Sequence, residues 1–129
     1  MTVLIIDDDA GIRELLTIFL SFKGYPALGV ANGAEALAYL QQQTLLPQLI
    51  MLDLTMPVMD GVAFRHAQQQ DAHLMSIPVV VMSAVEELLA PQVPADAYLP
   101  KPIDFDTLLP LIEQYCYQSR QRGMYVQQS

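Results

Sequence analysis

Short, wholly apolar runs alternate along this chain with longer stretches whose apolar residues recur at helical spacing. Residues 2–6, "TVLII", form a compact β-branched run that predicts a strand buried on both faces. Over 10–23, Ile12, Leu15, Leu16, Phe19 and Leu20 share one helical face, with Arg13 and Glu14 off it. Gly24 follows where a helix C-terminal cap belongs. "YPALGV" (25–30) is a weaker second strand. Asn32 is placed to cap the next helix, with Glu35 three residues on, and Leu37 and Leu40 supply its inner face up to the "QQQ" at 41–43. "QLIML" (48–52) is the third strand. A short helix after Gly61 carries Val62, Phe64 and Arg65, and "IPVVVM" (77–82) is the fourth strand. "EELLA" (86–90) leaves room for a stub of helix before Pro91 and Pro94. "AYL" (97–99) is a short fifth strand, and 105–120 is the last helix, with Leu108, Leu111, Ile112 and Tyr115 at core spacing.

Five strands alternating with helices predict an α/β fold: a doubly wound parallel sheet covered on both faces, in three α/β/α layers. Right-handed crossovers leave few topologies. Such a sheet collects its functional residues at the carboxyl ends of its strands, near a switch in strand order. No internal repeat or linker divides the chain. Apolar periodicity fades from residue 118, so the domain is expected over 1–121, with 122–129 a frayed C-terminal tail.

Composition narrows this picture. The 129 residues are 53% hydrophobic, enough for a proper core, so the net charge of -8 does not signal an acidic disordered chain. Only 6 Lys and Arg are present, and they are scattered, which argues against nucleic-acid binding by this domain. The single cysteine, Cys116, cannot form an internal disulfide and suits a reducing compartment. "MTVLII" is cut off by three aspartates and lacks the basic start of a signal peptide. No apolar run has the length of a bilayer span. A cytoplasmic protein, free of the membrane, is the expectation.

The strand ends change the question from architecture to chemistry. Strand one runs into Asp7, Asp8 and Asp9, strand three into Asp53, strand four into Ser83, and strand five toward Lys101 in "LPKP". Each alone has a bland explanation: Asp9 and Ser83 as helix caps, Asp53 as a turn residue, Lys101 as a surface charge, Tyr98 as packing. Together they bring carboxylates, a hydroxyl and an ammonium to one edge. Clustered carboxylates repel unless protonated or neutralised by a cation. Hard oxygen donors suit Mg²⁺, which often binds through one or two carboxylates plus a phosphate. An Asp carboxylate can also attack a phosphoryl group to form an aspartyl phosphate, with Mg²⁺, Lys101 and Ser83 facing the transferring oxygens.

"LIIDDDAGIRELL", "LIMLDLTMPVMDG", "VVVMSA" and "AYLPKP", in this order and spacing, resemble the receiver domain of two-component response regulators over essentially residues 2–120. The resemblance implies the flavodoxin-like strand order 2-1-3-4-5. It implies Asp53 as phosphoacceptor, Asp8 as direct metal ligand, Asp7 as the acid holding a metal-bound water, and Thr55 as donor of a backbone carbonyl to the metal. Lys101 matches the lysine that pairs with the phosphoryl group, and Lys101–Pro102 the family's cis peptide, which would aim that lysine. Ser83 matches the switch hydroxyl, and Tyr98 the aromatic that turns inward with it. The implied reaction moves a phosphoryl group from a histidine of a sensor kinase or phosphotransfer protein to Asp53, with Mg²⁺ as cofactor. The chain would then be a signalling module that modifies only itself, not a conventional enzyme. It would control an unknown downstream protein or output domain, or form a homodimer through the face made by the fourth helix, fifth strand and last helix.

Three features depart from that pattern. The stretch from Ser83 to Lys101 is short and carries Pro91 and Pro94 where the fourth helix usually runs. Pro110 falls within the last helix, where it implies a kink or a late start. Thr55 and Val85, at positions the family uses to tune dephosphorylation, offer no amide or carboxylate to orient water, so a long-lived phosphorylated state is expected. A haloacid-dehalogenase-type phosphatase would need a second Asp where Thr55 stands. A flavin or dinucleotide site would need a glycine pattern that "DDDAG" lacks. The remaining alternative is a degenerate receiver acting as a phosphorylation-independent docking module.

Overall fold

The structure, a computed structural model, describes residues 2–56, 58–84 and 93–128, with side chains of the last helix described through Cys116. The strands are β1 (Val3–Ile6), β2 (Ala27–Val30), β3 (Leu49–Asp53), β4 (Val79–Ala84) and β5 (Ala97–Lys101). Among the described residues the helices are α1 (Ala10–Phe22), α2 (Gly33–Gln41), α3 (Gly61–Gln69) and α4 (Phe105–Gln128). All strand pairs are parallel, in the order β2-β1-β3-β4-β5. This is the doubly wound, flavodoxin-like architecture that the alternation and the motif resemblance led us to expect.

The core has two layers, one on each face of the sheet. Val3, Ile5, Leu49, Met51, Val80, Met82 and Leu99 pack with α1 and α4. Their neighbours Leu4, Ile6, Ile50, Leu52, Val79 and Val81 pack with α2 and α3. Alternate residues of β1, β3 and β4 therefore serve opposite layers, which is why these strands are apolar up to their carboxyl ends, where Asp53 and Ser83 stand.

Helix ends follow the anticipated chemistry. Asp9 caps α1 by accepting from the Ile12 N–H (3.1 Å), and Gly24 takes the left-handed backbone (φ 91°) after its C-terminus. Asn32 caps α2 by accepting from Glu35 N–H (2.9 Å), and the Glu35 carboxylate accepts from Ala31 N–H (2.7 Å). Asp60, not anticipated as a cap, accepts from Ala63 N–H (2.8 Å) and starts α3.

Some expectations are corrected. Leu15 was placed on the inner face of α1 but is 53% exposed, because the contact stripe is narrower than the apolar one and is filled by Ile12, Leu16, Phe19 and Leu20. Strands β3, β4 and β5 run on to Asp53, Ala84 and Lys101, so the chemical residues end strands instead of following them. The last helix begins at Phe105, so Pro110 lies inside it and does not delay its start. Its backbone is helical through Gln128, across residues where a frayed tail was expected. The stub expected over 86–90 and the tuning position Val85 lie outside the described residues.

Candidate functional site

The alternation that builds the core also builds the site. Along β1, Val3 and Ile5 face the α1–α4 layer, and Asp7 is next in that series. Along β3, Leu49 and Met51 lead to Asp53; along β5, Ala97 and Leu99 lead to Lys101. Strands β1, β3 and β5, the last separated from β3 by β4, thus lead to their polar residues on the same face, one step beyond the apolar layer.

The side chains meet there. Lys101 Nζ donates to Asp7 Oδ2 at 3.0 Å and lies 3.4 Å from Asp53 Oδ1. Asp7 is fully buried; its Oδ1 accepts from the Asp9 N–H (2.9 Å), and its main-chain carbonyl accepts from Arg13 Nη1 (2.8 Å). Asp53 is 4% exposed and accepts from the Thr55 N–H at 3.4 Å. Asp8 is exposed beside them. Behind Asp53 the backbone of Gly61 comes close: a Cβ there would fall against the Asp53 carbonyl oxygen and 2.7 Å from Leu54 Cα. The Gly61 N–H donates to the Leu54 carbonyl (2.9 Å), so α3 begins in contact with the carboxyl end of β3.

Burial, and then the neighbouring Asp7 charge, push the Asp53 carboxyl up to about 6, against the lowering effect of Lys101 and the Thr55 N–H. Burial alone would lower the Lys101 ammonium, but its hydrogen bond to Asp7 and the charges of Asp7 and Asp53 outweigh that and raise it. Carboxylate oxygens of Asp7, Asp8 and Asp53 lie within 4.8 Å of one another. Three carboxylates face one ammonium in this cluster, leaving negative charge in excess. An all-oxygen, under-neutralised group of this kind fits a hard divalent cation.

Asp7, Asp8, Asp53, Thr55 and Lys101 line one open cleft of about 340 Å³, together with Asp9, Ile12 and Ala84. Reading the sequence had set Asp9 aside as a cap, which it is, but it also borders the cleft; Ala84 and Ile12 were missed. Strand parity was the available signal for Ala84, two residues beyond Met82. Ser83 and Tyr98 are not at the cleft wall. Ser83 is buried in β4, in the series of Val79 and Val81 that faces the other layer. Tyr98 is 39% exposed and its hydroxyl donates to the Val93 carbonyl (2.6 Å). The Lys101–Pro102 peptide is cis.

The family profile of the response regulator receiver domain matches residues 3–113. The chain belongs to the receiver domain family of two-component response regulators. This receiver is 36% identical to the response regulator Rre1 of a Synechocystis strain, over 84% of its own length and 48% of that protein's. It is 37% identical to the DNA-binding transcriptional regulator NtrC of Escherichia coli, over 97% of its length but 27% of that protein's. The chain thus spans about half or less of these curated relatives. A solved signal receiver domain of a Syntrophus aciditrophicus signal transduction histidine kinase superposes with a TM-score of 0.80 at 28% identity, covering 91% of this receiver and 90% of that chain. Receivers of this family bind Mg²⁺ at an acidic pocket, and the Asp7–Asp8–Asp53 cluster could hold a metal ion. No helix among the described residues is long and apolar enough to cross a membrane.

Proposed function

We propose that this receiver accepts a phosphoryl group on Asp53 from a phosphohistidine of a sensor kinase or phosphotransfer protein, in a Mg²⁺-dependent reaction. The observation that carries this reading is the Asp53 carboxylate at the carboxyl end of the central strand, 3.4 Å from Lys101 and beside two further carboxylates in an open cleft. An Asp53 oxygen forms the new O–P bond as the P–N bond to the donor imidazole breaks, the electron pair leaving with that nitrogen. Lys101 sets a positive charge where phosphoryl oxygens would lie. Asp8, Asp53 and the Thr55 carbonyl would hold Mg²⁺, with Asp7 on a bound water. When bound, Mg²⁺ neutralises the cluster and withdraws charge from the phosphoryl oxygens.

Ser83 and Tyr98 act as the switch, the hydroxyl moving toward the phosphoryl group and the ring turning inward. The chain modifies only itself, so it is a signalling module and not a conventional enzyme. Its output is a protein partner, an output domain or a second copy meeting the β5 and α4 side of the fold, in the cytoplasm.

Incubating the chain with Mg²⁺ and acetyl phosphate and weighing it intact tests the assignment. One phosphoryl mass is expected on the wild type and none on Asp53→Asn. No gain on either would mark a docking module instead. Because Thr55 brings no amide or carboxylate to the cleft, the phosphorylated form is expected to last minutes to hours; a decay within seconds would overturn that.

A further inference from the structure

The inner stripe of α3 contains two polar residues. Gly61, Phe64, Arg65 and Gln68 are its buried positions, and Gln68 is completely inaccessible. Arg65 is only 9% exposed. Its Nε donates to the Pro94 carbonyl (2.7 Å) and its Nη1 to Gln68 Oε1 (2.8 Å). The Gln68 amide nitrogen in turn donates to the Leu74 and Ile77 carbonyls (3.0 and 3.1 Å). A buried guanidinium is costly unless its donors are satisfied. Here its hydrogen bonds go to neutral acceptors, and burial lowers its pKa against the raising effect of the nearby Asp96 charge.

The segment that Arg65 reaches at Pro94, residues 93–96, leads into β5 and is gripped from four elements. Val93 accepts from the Tyr98 hydroxyl of β5, Pro94 from Arg65 of α3, and Asp96 from the Tyr115 hydroxyl of α4 (2.9 Å). The Asp96 side chain also accepts from the Val79 N–H (2.8 Å), which ties the segment to the start of β4. Pro94 has no N–H to enter a strand ladder, so its carbonyl and a distant side chain anchor the backbone at that point.

We propose that Arg65 is a positioning residue for the Tyr98 switch. By holding the Pro94 carbonyl it fixes the adjacent Val93 carbonyl as the acceptor that keeps the Tyr98 ring outward. The inference rests on reading Tyr98 as the switch aromatic. An inward turn must break the Tyr98–Val93 bond, and an anchored acceptor cannot follow the ring. The fork of an arginine suits the task, since it grips Pro94 and Gln68 at once. One neutral hydrogen bond biases such a two-state element by about two- to tenfold.

The test uses the full chain labelled with ¹³Cε-tyrosine, the Tyr98 signal being assigned with Tyr98→Phe. Arg65→Met is expected to displace the Tyr98 signal in the unphosphorylated protein. It should also tighten binding of beryllofluoride, a phosphoryl mimic, in Mg²⁺ by about two- to tenfold. Tyr98→Phe should tighten it similarly, and the double variant no further. Arg65→Lys, which keeps the charge but not the fork, should displace the Tyr98 signal less. If Arg65→Met does not fold, Arg65→Lys carries the test. An unmoved Tyr98 signal overturns the proposal, as does an Arg65→Met effect on affinity that persists undiminished beside Tyr98→Phe. A wild type that binds no beryllofluoride would instead break the reading of Asp53, while the Tyr98 signal still decides the role of Arg65.

Discussion

The cleft and the Arg65–Gln68 network both hold buried polar groups, yet they are balanced in opposite ways. In the cleft, Asp7, Asp8 and Asp53 share a single ammonium, and burial plus like charge raise the Asp53 carboxyl to about 6. In the network, the Arg65 fork and the Gln68 amide each give two hydrogen bonds to neutral acceptors. The cleft is short of positive charge and so has a use for a cation and for the group that the cation accompanies. The network's hydrogen bonds all end on acceptors within the chain, and so it works as structure. Removing a polar group should therefore have opposite signs in the two places.

The largest effect belongs to the network. Gln68→Leu keeps the volume but strands the Leu74 and Ile77 carbonyls and one Arg65 donor in the interior. Urea unfolding should show a loss of about 3 kcal/mol; a loss below about 1 kcal/mol would mean the network is not self-satisfied.

The opposite sign is expected at Asp53. Its carboxyl is raised from 3.8 to about 6, so the folded state prefers the protonated form. That contribution is fully present below the unfolded value and is lost as pH rises through the folded one. In metal-free buffer the wild type should therefore weaken across the window from 3.8 to about 6. Asp53→Asn should not weaken there, and at pH 8 it should be more stable by about 2 kcal/mol. Equal stability of the two proteins at pH 8 would erase the contrast between the regions.

A smaller effect separates the cation from the carboxylate. Millimolar Mg²⁺ should raise the wild-type melting temperature by about 4 °C, corresponding to roughly 1 kcal/mol of binding linkage. Asp8→Ala should lose most of that rise, while Gln68→Leu, melting lower, should keep it. A rise that survives in Asp8→Ala would place the cation elsewhere.

Much of this was legible in the residues. β1, β3 and β4 announce themselves because strands buried on both faces stay apolar until their carboxyl ends. Asp9 and Asn32 were readable as caps because a short side-chain oxygen before an apolar period has one obvious task. Asp7, Asp8, Asp53, Thr55 and Lys101 were singled out from strand ends and motif resemblance, and the fold gathers all five at one cleft. Leu15 was misplaced because periodicity shows which residues could face inward, not how wide the contact is. Arg65 and Gln68 were invisible as core residues, since polarity reads as exposure. What rescues them from that cost is a set of main-chain carbonyls, and Arg65 reaches one 29 residues away.

By itself the sequence determined the number and type of the central elements, the parity along each strand, and the chemical identity of the residues at the strand ends. These are local properties: they depend on period and on side-chain chemistry, which neighbours in the chain display. Tertiary structure alone decided that Asp7 and Asp53 share Lys101, and that an arginine on α3 holds the approach to β5. Those outcomes depend on distances between segments far apart in the chain, and hence on how the sheet brings their ends together.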